Sequence, residues 1–412
     1  MSGEILFLAH RVPFPPDRGD KIRSHHILRA LAELAPVHVA CLAENAADLA
    51  HAAELGAVAA SHCLAKRRKP LALAGLQALA RRESVSISAF RHAEIAAYVA
   101  RVLQRRTVDT IYVFSGQMGQ YVPRDWDGRL VADLVDVDSA KFEAYARDEA
   151  WPKRWIDARE ARLLRIEEQR LARIADHTLL VSEAEADLLR SRVASSATAR
   201  ISVLGNGVDL AAFDPAGVSP HPGISGQPGP HFVFTGQMDY APNVAAVLRF
   251  AGAMLPQVRL HHPAAQFHVV GRSPTPEVRS LDGSGGVRVW GEVPAVQPFL
   301  AAADLVVAPL AIARGVQNKV LEAMAMARPV LLTPAAATGI GGSDGIHFAV
   351  ADGDEALVRR ALSLLADSER AAAMGRAARR LAVEEMSWTA MLAPLPALLG
   401  RAGRREGRRD AA

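Results

Sequence analysis

Three stretches of the 412-residue chain hold residues whose types and spacing can do chemistry. The first is Asp133-Leu-Val-Asp136-Val-Asp138-Ser139, three carboxylates at the end of an apolar segment. Carboxylates at the carboxyl end of a strand can orient an attacking hydroxyl or take its proton, and Asp136 and Asp138 are the candidates. Helix capping by Asp138 or Ser139 is the plainer alternative for one of the pair. The second stretch is Arg314-Gly315-Val316-Gln317-Asn318-Lys319-Val-Leu-Glu322. Its glycine turn leads into a helix, so the amides of residues 316–318 point out of the helix start beside Arg314 and Lys319. That suits a doubly charged group such as a nucleoside diphosphate. Glu322, one turn further in, can accept two hydrogen bonds from a ribose. The plainer alternative is a packing helix, and Leu321, Ala323, Met324 and Ala325 fit one. The third stretch, residues 11–26 (RVPFPPDRGDKIRSHH), combines a proline-stiffened loop with Gly19 at a helix start and with Arg18, Lys21 and Arg23. It reads as a loop reaching a phosphate or sugar, or as a rigid turn with a solvated basic face. His25 and His26 are adjacent on that helix and point in different directions.

These residues need elements to position them. Residues 4–9, 37–42, 110–114, 130–135 and 178–181 predict strands separated by helices, the rhythm of parallel βαβ units. Ser182-Glu-Ala-Glu185 predicts a capped helix start. The rhythm breaks at Gly205-Asn-Gly-Val-Asp209. A stretch rich in proline, glycine and serine follows at residues 215–230 and predicts a linker or a long surface loop. Strands resume at residues 231–235, 266–270, 287–290, 304–308 and 329–333, with a helix over 317–326. Two α/β units therefore lie either side of a boundary near residues 205–230. In doubly wound folds the loops after the strands hold the ligands.

Composition excludes several classes. Half of the residues are hydrophobic and 22% are charged, as in a globular protein. The net charge of +4 is uneven. Residues 1–200 hold 29 basic and 26 acidic groups, residues 201–400 hold 14 and 16, and the last twelve hold five arginines, Glu406 and Asp410. No nucleic-acid partner is expected, because the basic footprint is too small and too scattered. Two cysteines, Cys41 and Cys63, argue against a disulfide scaffold and for a reducing, cytoplasmic location. No apolar run reaches the roughly 20 residues of a membrane span. Residues 71–80, bracketed by Lys66-Arg-Arg-Lys69 and Arg81-Arg82, suggest peripheral contact with an anionic membrane surface. A glycine fingerprint for a dinucleotide is absent from the first loop, which disfavours an oxidoreductase.

The motifs also carry a resemblance. Glu322-Ala-Met-Ala-Met-Ala-Arg-Pro-Val330 resembles the end of the donor-site helix of family 4 glycosyltransferases of the GT-B fold. Gly205-Asn-Gly-Val-Asp209 resembles their interdomain turn, and Phe234-Thr-Gly-Gln-Met-Asp-Tyr-Ala-Pro-Asn243 their second-domain glycine loop. Residues 301–309 (AAADLVVAP) resemble the strand before the donor loop. The opening residues 11–26 are similar to a subgroup found beside exosortase/PEP-CTERM exopolysaccharide loci. The ordered set extends to about residue 395.

The resemblance implies an α/β fold of two doubly wound Rossmann-like domains facing a central cleft. An acceptor domain would span residues 1–205, with a helix near 385–400 packing back on it. A donor domain would span residues 206–384, and residues 401–412 would form a basic tail. The donor, a nucleotide-diphospho-sugar, would meet Gly19, Asp20, Lys21, Gly236, Gln237, Asn243, Arg314, Gly315, Val316, Gln317, Asn318, Lys319 and Glu322. A saccharide or lipid-linked acceptor would meet Arg18, Arg23, His26, Ser115 and Gly116. The resemblance further implies hexosyl transfer with retention, no bound metal, no cofactor beyond the donor itself, and a role in exopolysaccharide or cell-surface glycan synthesis. Two positions depart from the pattern. Arg314 stands where the family has a glutamate, and Gln237 stands where it has an arginine. Lys319 and Arg314 are expected to supply the missing charge. A sugar-nucleotide epimerase or an inactive nucleotide-sugar-binding subunit remain open alternatives.

Overall fold

The computed structural model describes residues 3–67, 69–148, 150–313 and 316–401. The chain forms two compact units. One holds the residues up to 205 together with those from 392 onward, and the other holds residues 206–391.

The first unit is a seven-stranded sheet of β1 (Glu4–Ala9), β2 (Val37–Ala43), β3 (Ser61–Lys66), β4 (Val108–Phe114), β5 (Arg129–Val135), β6 (His177–Leu180) and β7 (Ile201–Val203). The strand order is β3-β2-β1-β4-β5-β6-β7, and every pairing is parallel. Residues Ile5 to Ala9 are wholly buried, which a strand covered on both faces requires. Register pairs Phe7 with Val39 on one side and with Tyr112 on the other. Strand order reverses between β1 and β4, so loops leaving these two strands part and leave a crevice at the carboxyl edge. β3 and β7 are not legible in the sequence: Ser61–Lys66 (SHCLAK) mixes polar and apolar residues, and Ile201–Val203 has only three residues. Ser182 does cap its helix, but the box does not close. Glu185 instead accepts the amide of Val137 at 2.7 Å and so supports the loop after β5.

The second unit is a six-stranded parallel sheet of β8 (His231–Thr235), β9 (Gln266–Val270), β10 (Val287–Gly291), β11 (Leu305–Ala308), β12 (Val330–Leu332) and β13 (Ala349–Val350), in the order β10-β9-β8-β11-β12-β13. Its reversal lies between β8 and β11. The segment at 215–230 is not a free linker. Ile224 is wholly buried in the core of this unit, and the ring of His221 stacks on Phe299 with centroids 4.2 Å apart. The chain changes units at residue 205, before this segment.

A polar relay anchors it. Trp290 Nε1 donates to His268 Nδ1 at 3.2 Å, His268 Nε2 faces His231 Nδ1 at 3.1 Å, and His231 Nε2 faces the Gln227 carbonyl at 3.1 Å. Indole can only donate and a carbonyl can only accept, so both imidazoles are neutral and their protons point one way. Burial, then the neighbouring His231, Arg288 and His221, pushes His268 down to about 4. An imidazole whose folded value lies below its unfolded value of 6.5 binds more protons when unfolded. Its contribution is complete above pH 6.5 and is lost as pH falls toward 4. Acid unfolding of the wild type is therefore expected to steepen between pH 6.5 and 4. His268→Gln, measured by urea melts across that range, should remove up to about 3 kcal/mol of the pH-dependent part. An unchanged slope in the variant would contradict the relay.

Candidate functional site

Both reversal points carry the residues that can do chemistry. In the second unit Gly236 follows β8 and Gly271 follows β9. A Cβ on Gly271 would fall 1.6 Å from the Gly236 carbonyl oxygen, and both residues have positive φ, so this close contact of two loops admits only glycine. A Cβ on Gly236 would meet Asn243 Nδ2 at 2.9 Å and Lys319 Nζ at 3.2 Å. The glycine thus opens a path to a buried pair in which Lys319 Nζ donates to Asn243 Oδ1 at 2.6 Å. Asn243 is fixed by donating to the Gln237 carbonyl at 2.9 Å. The ammonium also lies 4.3 Å from the centre of the Phe234 ring.

Lys319 stands in the first turn of the helix Asn318–Ala325, whose N-cap is Gln317 with no side-chain cap. Its first amides remain free of intrahelical partners. Asn318 Oδ1 accepts from Asn206 Nδ2 at 3.3 Å, and Val316 packs on the core. Burial pushes the Lys319 ammonium down to about 7, opposed by Glu322; burial pushes the Glu322 carboxyl up, opposed by Lys319. An arriving polyanion would restore the lysine's charge. The sequence thus brings Gly236, Gln237, Asn243, Val316, Gln317, Asn318, Lys319 and Glu322 into one region, while Arg314 and Gly315 lie outside the described residues. Arg272, on the loop after β9, was missed in the sequence. Its carbonyl accepts the Met238 amide at 2.9 Å, a contact across strands that linear spacing cannot reveal.

In the first unit, the loops after β4 and β5 meet. Ser115 and Val135 both have positive φ, 76° and 69°, conformations costly for residues with a Cβ and doubly so for branched valine. Between Asp133 and Val135 the register with β6 slips, and this bulge re-aims the chain so that Asp136 emerges at the edge. The Ser115 hydroxyl donates to Gln117 Oε1, and Gln117 Nε2 donates to Asp138 Oδ2 at 3.0 Å. Asp136 Oδ1 is shielded from solvent and makes no hydrogen bond among the described residues. Burial, then the charges of Glu185 and Asp138, raises its carboxyl to about 7. Capping falls elsewhere: Glu168 takes both the amide and the hydroxyl of Ser139, at 2.8 and 2.5 Å. Gly116 begins the 3₁₀ turn Gly116–Tyr121 beside Ser115.

In the first loop, four residues expected at a ligand are engaged in ion pairs instead. Arg23, expected at an acceptor, is 1% exposed. Its guanidinium grips Asp133 through Nε and Nη2, each at 3.1 Å, and donates to the Gly205 carbonyl at 3.1 Å. Tyr112 donates to the same carboxylate at 2.9 Å, which also takes Asp133 out of the reactive set. Lys21, expected at a donor phosphate, is buried against Asp48 at 2.7 Å. Asp20 accepts from Arg11 at 2.5 Å and from Arg18 at 2.7 Å. Burial would raise its carboxyl, but the His10 hydrogen bond and the Arg11 and Arg18 charges hold it well below the usual range. Arg18 is itself held by Asp20 and by Glu44. Gly19 opens the helix Gly19–Leu34 and stays exposed, and His26 sits half-buried on it, edge-on to His25. His10, unremarked in the sequence, follows β1 at the reversal point. Its ring stacks on Phe114, its Nε2 lies 3.2 Å from Asp20, and its Nδ1 is shielded without a partner among the described residues.

Residues 229–367, from just before β8 to the helix Asp354–Ala366, match the family described as Glycosyl transferases group 1. Compared by sequence with curated proteins, the chain has no significant match. Among solved structures it resembles HepE of Anabaena in complex with UDP and glucose, with a TM-score of 0.66 at 15% identity over 97% of this chain and 100% of that one. Sucrose-phosphate synthase of Thermosynechococcus elongatus gives 0.68 at 14%, covering 97% and 99%. WaaG, a glycosyltransferase involved in lipopolysaccharide biosynthesis, gives 0.64 at 17%, covering 96% and 100%. The fold is GT-B. With the matched domain in its second unit, the chain is a glycosyltransferase of the GT-B type.

Proposed function

We propose that the second unit binds a nucleotide-diphospho-sugar and that the first unit binds a saccharide or lipid-linked saccharide whose hydroxyl replaces the diphosphate. The observation that carries this reading is the buried Lys319 beside Gly236 and Asn243, at the start of a helix with free amides. These donors suit the negative charge that grows on the leaving diphosphate, the interaction that contributes most in such reactions. Glu322 would hold the ribose, and Asp136 would orient the acceptor hydroxyl and take its proton. The bond from anomeric carbon to phosphate oxygen breaks, the bond to the acceptor oxygen forms, and the proton passes to the Asp136 carboxylate. HepE carries UDP in its crystals, so uridine is the first base to try. A thermal-shift series of nucleoside diphosphates and their sugars tests the reading. One diphosphate should raise the melting temperature well beyond its monophosphate, and no shift with any nucleotide would contradict it.

Finer assignments follow from the sequence resemblance: family 4, the subgroup beside exosortase loci, retention of configuration, and synthesis of exopolysaccharide or cell-surface glycan at the cytoplasmic face of a membrane. A surface of the first unit supports the last. The helix Leu71–Arg81 exposes Leu73, Leu76 and Leu79. Arg159 Nη2 ties it, through the Ala78 and Glu83 carbonyls at 3.1 Å, to the helix Lys153–Ile174, whose first turn exposes Trp155 and Ile156. Arg67 and Lys69 of the basic bracket are taken up by Glu44 and the Ser88 carbonyl, so Arg81, Arg82 and Arg154 supply the exposed charge. Exposed tryptophan and leucine beside arginine suit an anionic lipid surface. Sedimentation with phosphatidylglycerol vesicles should carry the protein down, and Leu76→Asp with Trp155→Asp should reduce the bound fraction several-fold. Equal sedimentation of wild type and variant would contradict this surface.

A further inference from the structure

The second unit has a cavity of about 740 Å3 at the end of its sheet opposite Gly236 and Lys319. It is bounded by the amino ends of three strands: His231 begins β8, Asp304 precedes β11, and Arg328 precedes β12. Its size lies within the range of small-molecule sites. The fourth side is the helix Ser368–Glu385, whose Ser368, Ala372 and Arg376 recur every fourth residue and so share one face. Alanine on that face leaves the room that a larger side chain would fill.

Two arginines give the cavity its sign. Arg328 donates one bond, from Nη1 to the Ala303 carbonyl at 3.3 Å, while its Nε is shielded from solvent and has no partner among the described residues. A guanidinium nitrogen left in that state costs free energy until an acceptor arrives. Arg376 makes no ion pair among the described residues. The lining acid, Asp304, accepts the His231 amide at 2.7 Å, and its charge partly offsets that of Arg328, which leaves Arg376 as the uncompensated cation of the lining among the described residues. The two arginines also hold a fixed relation. Gly375 packs so closely that a Cβ there would lie 2.1 Å from the Ala327 carbonyl oxygen, which seats Arg376 beside the turn that carries Arg328. The remaining wall includes Ile224, Met326, Leu364 and Leu365, which are apolar.

We propose that this cavity binds a small amphiphilic anion, a phosphate or carboxylate joined to an apolar body, with Arg328 and Arg376 on the anion and the leucines on the body. The site is separate from the donor edge, because it lies at the other end of the same strands. The test is calorimetric titration of the full chain with hexyl phosphate, with and without saturating UDP. Saturable binding at one per chain is expected, unchanged by UDP and at least tenfold tighter than inorganic phosphate. Arg376→Met, on the exposed side of the helix, should weaken it at least tenfold. Ala372→Trp should abolish it by filling the space. Melting curves of both variants matching the wild type would show that they fold. Absent binding, displacement by UDP, equal affinity for inorganic phosphate, or unaltered binding in folded variants would each overturn the proposal.

Discussion

Asp136→Asn should lower the turnover number for sugar transfer by about 10²–10⁴-fold, with nucleotide-diphosphate affinity unchanged. The isosteric amide keeps the shape of the loop after β5 but cannot take a proton. The wild-type carboxylate is suited to that task because its neighbours place it near neutrality. Burial disfavours its charge, and Glu185 and Asp138 repel it. A base titrating near the working pH is the efficient choice, so kcat should rise with pH through an apparent value near 7. That limb should vanish in Asp136→Asn. Asp138→Asn should act more weakly, because Gln117 already occupies one of its oxygens. If Asp136→Asn turned over at the wild-type rate, the proton would have to go elsewhere, and His10 would be the next candidate.

Arg23→Ala should destabilise the first unit by about 3–5 kcal/mol, the loss expected when one partner of a buried ion pair is removed. Asp133 is wholly buried and, among the described residues, would keep only Tyr112 and its own backbone contact with Val135. The damage would reach the candidate site, because Asp133 Oδ1 accepts the Val135 amide at 3.2 Å, at the strained residue that aims Asp136. Hydrogen exchange should show β4 and β5 losing protection while β8 and β9 keep theirs. Arg23→Met with Asp133→Leu should recover much of the loss, since an apolar pair leaves no orphaned charge. A single variant as stable as the wild type would show that the pair is not structural.

How much of this was legible in the sequence depends on what kind of signal each feature leaves. The strands on either side of both reversal points are continuous apolar runs, such as Ile5 to Ala9, and can be read directly. The edge strand Ser61–Lys66 is half polar and leaves no such run. The candidate residues between Gly236 and Glu322 could be singled out because glycine turns and helix starts mark themselves in sequence. The basic loop after β1 misled for the opposite reason. Arg18, Lys21 and Arg23 look available in one dimension, but Glu44, Asp48 and Asp133 reach them from other elements. A charge can be counted from sequence; its partner, more than a hundred residues away in the case of Asp133, cannot. The strain at Ser115 and Val135 was equally hidden, since neither residue type announces a positive φ.

In the proposed function, the edge formed by Gly236, Asn243 and Lys319 holds the diphosphate of a sugar nucleotide. It is tested most directly by titrating UDP, and the other nucleoside diphosphates in turn, into the wild type and into Lys319→Ala while heat is recorded. One nucleotide should bind the wild type at one per chain. Lys319→Ala should lose about 2–4 kcal/mol of that affinity, the range for deleting a charge-assisted donor together with its desolvated environment. Binding of equal strength in both proteins, or no binding of any nucleoside diphosphate to the wild type, would contradict it.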